Sequence, residues 1–218
     1  MQVAIVTYDK MTALDAIGPH QVLALMPGVE VKWVGAQAGP VLTDSGLYLV
    51  ADAAFEEVPR PDIVLVPGGL DVSHVMRDEH VLDWIRAAHE TSTWTTSVCT
   101  GGLILAAAGV LRGLKATTHW AVLHQLKDWG AEPVSERVVR QGKVVTAAGV
   151  SAGIDMALRL AEWVAGAEVA QTIQLCIEYD PQPPFNSGSP GSATPNVKAN
   201  ALRALRGAIE ATEARGRT

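Results

Sequence analysis

The sequence is poor in cysteine: among 218 residues only Cys99 and Cys176 carry thiols. Two thiols in a chain of this size do not make a disulfide framework, and no Cys/His cluster has the spacing of a zinc site. No metal and no cofactor is therefore expected. Long hydrophobic runs are also missing. None approaches the roughly 20 residues that a membrane helix needs, so no membrane association is expected. Basic residues are in deficit, 17 Lys and Arg against 23 Asp and Glu, for a net charge of -6. Phosphate binding needs clustered Lys and Arg, so this balance argues against a nucleic-acid partner. The N-terminus, MQVAIVTYDK, has no basic segment ahead of its apolar stretch. It does not read as a signal peptide, and the expected compartment is the cytoplasm.

What the chain does have is core-forming residues. Hydrophobic residues make up 48% and charged residues 18%, which argues against disorder over most of the length. The length falls within the range of one α/β domain. Residues 2–8 are rich in Val and Ile and predict a buried strand. Residues 12–26 carry apolar side chains at helical spacing, and Pro27-Gly28 stops them. A second strand is expected over 29–36, and a small β excursion over 41–50, marked by the turn Asp44-Ser45-Gly46. Residues 62–67 (DIVLVP) form the clearest buried strand, closed by Gly68 and Gly69. A helix is predicted over 78–90 and a strand over 94–98. The strand runs directly into Cys99-Thr100-Gly101-Gly102 and an Ala/Leu-rich helix to Ala108. A strand over 143–147, a long helix over 150–164 and a further helix over 167–177 follow.

Alternating strands and helices imply an α/β fold, a flavodoxin-like three-layer sandwich with a mostly parallel central sheet. One domain is expected over 1–218, with no internal repeat. An irregular arm rich in Pro, Gly and Ser is expected at 180–195, and a terminal helix over 196–215, basic toward its end. In such sheets ligands bind outside the carboxyl ends of the strands. Asp15, Gly68 with Gly69, and Cys99 with Thr100 all fall at such ends, which points to one site.

Cys99 stands out. A strand, a tight Gly-containing turn and a helix resemble a nucleophile elbow. A thiol at a helix N-terminus can fall well below its free pKa of about 8.5. Asp15, in LDAIGP, has two readings of equal weight: a carboxyl that exchanges a proton with the thiol, or an N-cap or turn carboxylate. Gly68 and Gly69 have two readings as well, backbone donors for an oxyanion or an ordinary turn. The Thr100 N–H is a second candidate donor. His119, one helix beyond the elbow, is either a general base for the thiol or a His packed beside Trp120. Cys176 reads as core or interface.

At these residues the chain resembles the ThiJ/PfpI superfamily, a branch of the class I glutamine amidotransferase-like fold. The matching stretches are AIVTYDKMTALDAIGPHQVL, DIVLVPGG, SVCTGGLILAAAGVLRGLKATTHW, TAAGVSAGIDMALRLAEWVAG and EYDPQPPFNSGSP. Within the superfamily it is most similar to the isocyanide hydratases, lyases that add water to an isonitrile to give an N-substituted formamide. The resemblance implies that Cys99 attacks the isonitrile carbon through a covalent thioimidate. Asp15 would act as general acid and base, and Thr100 would orient the substrate or the acid. Backbone at Gly69, Leu70 and Thr100 would hold developing charge. The turn Gly149-Val150, opening the helix that carries Ile154 and Asp155, would pack against Cys99. The resemblance also implies a small-molecule substrate and a homodimer, with the DPQPPF arm crossing to the partner subunit. Ligand-binding domains of AraC-type regulators share these features, and 218 residues leave no length for a helix-turn-helix domain, so a stand-alone version is expected. Peptidase-like members carry His directly after the nucleophile, whereas Thr100 stands there. Glyoxalase or amidase chemistry and a redox or small-ligand sensor remain as alternatives.

Overall fold

A computed structural model describes residues 1–215. Contacts divide the chain into two compact units, Met1–Ile177 and the remainder from Glu178 onward.

The first unit is built on strands β1 (Gln2–Val6), β2 (Glu30–Gly35), β3 (Gly39–Leu42), β4 (Tyr48–Ala51), β5 (Ala53–Ala54), β6 (Ile63–Val66), β7 (Trp94–Val98), β8 (Lys115–Ala116), β9 (Glu132–Pro133), β10 (Val138–Gln141) and β11 (Val144–Ala147). Its helices are α1 (Ala13–Leu23), α2 (Glu79–Thr91), α3 (Gly101–Ala107), α4 (Ala152–Ala165) and α5 (Ala167–Cys176). Seven strands form the central sheet in the order β10-β11-β7-β6-β1-β2-β5. All neighbours are parallel except β10 with β11. The flanking helices and mostly parallel sheet agree with the α/β sandwich expected from the alternation of elements.

The central strands form because they are apolar on both faces. All four residues of β6 (IVLV) are buried, as are four of five in β1. A parallel strand covered on both sides needs such a continuous apolar run. β7 (WTTSV) is buried throughout although it carries three hydroxyls. Thr96 Oγ1 donates to Val64 O at 2.9 Å, which offsets the cost of burying that hydroxyl.

The chain leaves β1 toward β2 on one side and returns to β6 on the other. This reversal is a topological switch point, where the crevice beyond the carboxyl ends of an open α/β sheet takes its ligand. α1, after β1, packs on α4, and small residues permit the approach. A Cβ on Gly18 would stand 2.9 Å from Ile154 Cγ1, and one on Gly153 would stand 3.0 Å from Pro19 Cγ.

The excursion at 41–50 is the β3–β4 hairpin. The stretch from Gly109 to Gly142 holds elements that the sequence pattern does not announce: β8, a run of 3-10 helix at Trp120–Trp129, β9 and the antiparallel edge strand β10. The second unit is irregular up to helix α6 (Pro195–Arg215). There Thr194 Oγ1 accepts the Val197 N–H at 3.4 Å and Pro195 takes the first helical position, where its missing N–H costs nothing. Phe185, within the irregular stretch, is exposed. Among the described residues no helix is long and apolar enough to cross a membrane, and no group of three His, Cys, Asp or Glu could hold a metal ion.

Candidate active site

Cys99 sits immediately after β7, with φ of +57°. A non-glycine residue in this region is strained by roughly 1–3 kcal/mol and persists only where its surroundings hold it. Here the Cys99 N–H donates to Ala148 O at 2.9 Å, and Thr118 Oγ1 donates to the Cys99 carbonyl at 2.6 Å. Glycine is required two residues on, because a Cβ on Gly101 would overlap the Val66 carbonyl oxygen. The elbow read from the sequence is therefore present, and its glycine is needed for the closeness of β6 to β7.

Asp15 lies in the first turn of α1 and is fully buried. It does not cap that helix. Its Oδ2 accepts the Gly68 N–H at 2.9 Å across the turn that ends β6. Its Oδ1, also buried, has no hydrogen-bond partner among the described residues. The Cys99 thiol stands close enough to act on this carboxyl. With Oδ1 unpartnered, thiol and carboxyl are juxtaposed rather than firmly bonded. Burial raises the Asp15 pKa to about 7, and the charge of Asp44 adds to the rise. The Gly68 N–H and the thiol oppose it.

The thiol differs from its sequence-based expectation. Burial pushes the Cys99 pKa up, and the neighbouring Asp15 charge pushes the same way. The N–H groups of Val150 and Thr100 face the sulfur and favour the thiolate, but desolvation is the larger effect. The balance of these effects favours the thiol over the thiolate. At the start of the seven-residue α3, with Cys99 only 5% exposed, desolvation outweighs the helix terminus.

The backbone donors are also distributed differently from the expectation. The Gly69 N–H donates to Thr100 Oγ1 at 2.8 Å, and that hydroxyl donates to Gly69 O at 2.7 Å. Gly69 thus has its donor occupied in this structure, and the Thr100 hydroxyl ties two turns together instead of facing Asp15. Leu70 follows in the same turn, half-buried. The turn itself is locked by the Thr12 N–H, which donates to Gly68 O at 2.8 Å. Val150, by contrast, brings its N–H to the sulfur, with φ of +29°. Gly149 is packed tightly: a Cβ there would stand 2.8 Å from His119 Cδ2.

His119 packs its ring against the Gly149 turn. Its Nδ1 accepts the Ala121 N–H at 3.4 Å, and burial lowers its pKa. Ile154 packs against Gly18, and Asp155 pairs with Arg137. Cys176 is exposed, on α5, which overturns its reading as core. Sequence reasoning missed Tyr8 and Thr118. Tyr8 is buried beside Asp15 and Cys99, and its only signal was a polar-tipped aromatic at the end of the expected strand.

A buried thiol on a strand-to-helix elbow, facing a buried carboxyl at the switch point of a parallel sheet, defines a cysteine-centred α/β site. Residues 1–163 match the DJ-1/PfpI family, and the chain belongs to it. It is 46% identical over 193 residues to the isonitrile hydratase of Pseudomonas putida, covering 88% of this chain and 85% of that enzyme. It is 26% identical over 167 residues to the HTH-type transcriptional regulator CdhR of Pseudomonas aeruginosa, spanning 75% of this chain and 49% of the regulator. The crystal structure of a THiJ/PfpI family protein from Pseudomonas syringae superposes with a TM-score of 0.92 at 35% identity, covering 98% of this chain and 89% of that one.

Proposed function

We propose that the protein hydrates an isonitrile to an N-substituted formamide, with Cys99 as nucleophile and Asp15 as proton carrier. The observation that carries the proposal is the buried thiol–carboxyl pair. Burial favours the neutral thiol, while the carboxyl, with a pKa of about 7, can both take and give a proton near neutrality. The relation to the P. putida isonitrile hydratase supplies the substrate class.

In the first half-reaction the Asp15 carboxylate accepts the thiol proton as sulfur bonds to the isonitrile carbon. The Val150 and Thr100 N–H groups steady the charge on sulfur while the S–H bond breaks. Asp15 then delivers the proton to that carbon, giving the thioimidate R–N=CH–S–Cys99. In the second, water adds its oxygen to the same carbon. Asp15 takes a water proton and passes it to nitrogen. The C–S bond then breaks, and the hydroxyl proton returns through Asp15 to sulfur. The sum is one isonitrile plus one water giving one formamide, with the thiol restored. Oδ1 of Asp15, buried and unpartnered, is the acceptor position for the thiol or the water.

The test is formamide formation from an aryl isonitrile by wild type and Cys99→Ala. Turnover by wild type alone supports the reading. No turnover by wild type, or equal turnover by the variant, overturns it. A Cys99-dependent consumption of methylglyoxal faster than that of the isonitrile would instead favour glyoxalase chemistry. The family resemblance also supports a homodimer, expected to sediment at twice the 23.0 kDa of one chain.

A further inference from the structure

Tyr8 lies just beyond β1 and is 8% exposed. Its hydroxyl donates to the carbonyl oxygen of Pro67 at 2.8 Å. That carbonyl belongs to the same peptide group as the Gly68 N–H, which donates to Asp15 Oδ2 at 2.9 Å. One amide plane therefore carries a donor on its oxygen and an acceptor on its hydrogen. Hydrogen bonds in such a chain polarise one another: a donor on the carbonyl makes the N–H a stronger donor. The plane has little freedom to tilt. A Cβ on Gly68 would stand 2.5 Å from the Thr100 nitrogen, and the next carbonyl, Gly68 O, accepts from the Thr12 N–H at 2.8 Å.

We propose that Tyr8 is a positioning residue for Asp15, acting through the Pro67–Gly68 peptide to strengthen the one hydrogen bond that favours the Asp15 carboxylate from the backbone. The proposal deepens the reading of Asp15 as proton carrier and rests on it. The other groups that face Asp15 are the Cys99 thiol and the Asp44 carboxyl. Asp44 is itself held by Thr12 Oγ1 at 2.5 Å. His74 meets the Tyr8 ring edge-on, with centroids 6.0 Å apart, and its Nε2 bonds to Asp9 O. The phenol stays protonated in the working range, because burial and the nearby acidic groups push its pKa up. Its hydroxyl hydrogen is thus committed to Pro67.

The experiment follows the Asp15 carboxyl directly by NMR, using protein labelled with 13C at the aspartate side-chain carboxyl carbon. Asp15→Asn identifies the signal. Two perturbations of Tyr8 are compared with wild type. Tyr8→Phe removes the donor and is expected to move the Asp15 midpoint upward by about 0.3 of a pH unit, a modest fraction of a charge-assisted hydrogen bond. Replacing tyrosine by 3-fluorotyrosine makes the phenol a stronger donor and is expected to move the midpoint downward. Packing alone would not give opposite signs. Midpoint changes below about 0.1 of a pH unit in both proteins, or changes of the same sign, overturn the proposal. Should Tyr8→Phe fail to fold, the fluorinated protein decides alone. The readout needs no substrate, so the relay fails or stands whether or not isonitrile turnover is found. Where turnover is found, the acidic limb of kcat is expected to move with the NMR midpoint.

Discussion

The turns that close β6 and β11 flank the strand that carries Cys99, and they use their backbone differently. After β6, the N–H groups of Gly68 and Gly69 bond to the side chains of Asp15 and Thr100. After β11, the Gly149–Val150 turn leaves the Val150 N–H facing the Cys99 sulfur. One turn bonds to the Asp15 carboxyl and the other faces the Cys99 sulfur. The Asp15 carboxyl and the Cys99 sulfur are thus held by backbone from separate turns, with Thr100 reaching both the first turn and the sulfur.

The largest expected effect comes from removing the nucleophile. Cys99→Ala is expected to lower isonitrile turnover by at least about a thousandfold, as loss of a covalent nucleophile does, with both turns left in place. Steady-state kinetics on the folded variant checks it. Asp15→Asn separates the two sides. Turnover is expected to fall by about 10²- to 10⁴-fold, the usual worth of a positioned proton carrier. Alkylation of Cys99 by iodoacetamide near neutral pH is expected to rise by about tenfold, because the charge that opposed the thiolate is gone. A fall in both rates would show that Asp15 serves only to hold the turn.

A third effect appears in stability. The Asp15 pKa is raised from 3.8 to about 7 in the fold, so the folded state holds this proton more tightly than the unfolded state. The contribution is fully present below about pH 4 and is lost as pH rises to about 7. A rise of this size is worth about 4 kcal/mol between the two ends of that range. Urea midpoints of wild type are expected to fall between about pH 4.5 and about pH 7.5 relative to those of Asp15→Asn, whose carboxamide does not titrate. Thr100→Val gives the smallest change. It removes the hydroxyl that joins the two strand ends and leaves the buried Gly69 N–H without a partner, at a cost of about 1–3 kcal/mol by denaturant titration. The Val150 side of the site should be untouched, which alkylation of Cys99 at its wild-type rate would confirm.

How far the sequence was legible follows from the range of the interactions involved. β7 coincides with its expected span, because five buried residues running into a Gly-containing turn leave few alternatives. The antiparallel strand β10 was not legible, since a four-residue edge strand has no long period to detect. Asp15 was half legible. Its place near a strand end could be read, but its partner, Gly68, lies 53 residues away, and only the β1–β6 register brings the two together. The backbone donors were the least legible. Which N–H groups are taken by side chains depends on long-range contacts such as Gly69 with Thr100, 31 residues apart. The balance of effects on the thiol was not legible for a related reason. Local sequence announces a helix terminus, whereas the burial that outweighs it belongs to the whole fold.

The central claim is that turnover passes through a bond between Cys99 sulfur and the substrate carbon, with Asp15 moving the proton. Rapid-quench mass spectrometry of the protein with an aryl isonitrile near neutral pH tests it most directly. A transient adduct of one isonitrile mass on the Cys99 peptide is expected, decaying as the formamide forms. Formamide produced at full rate with Cys99 unmodified throughout would contradict it.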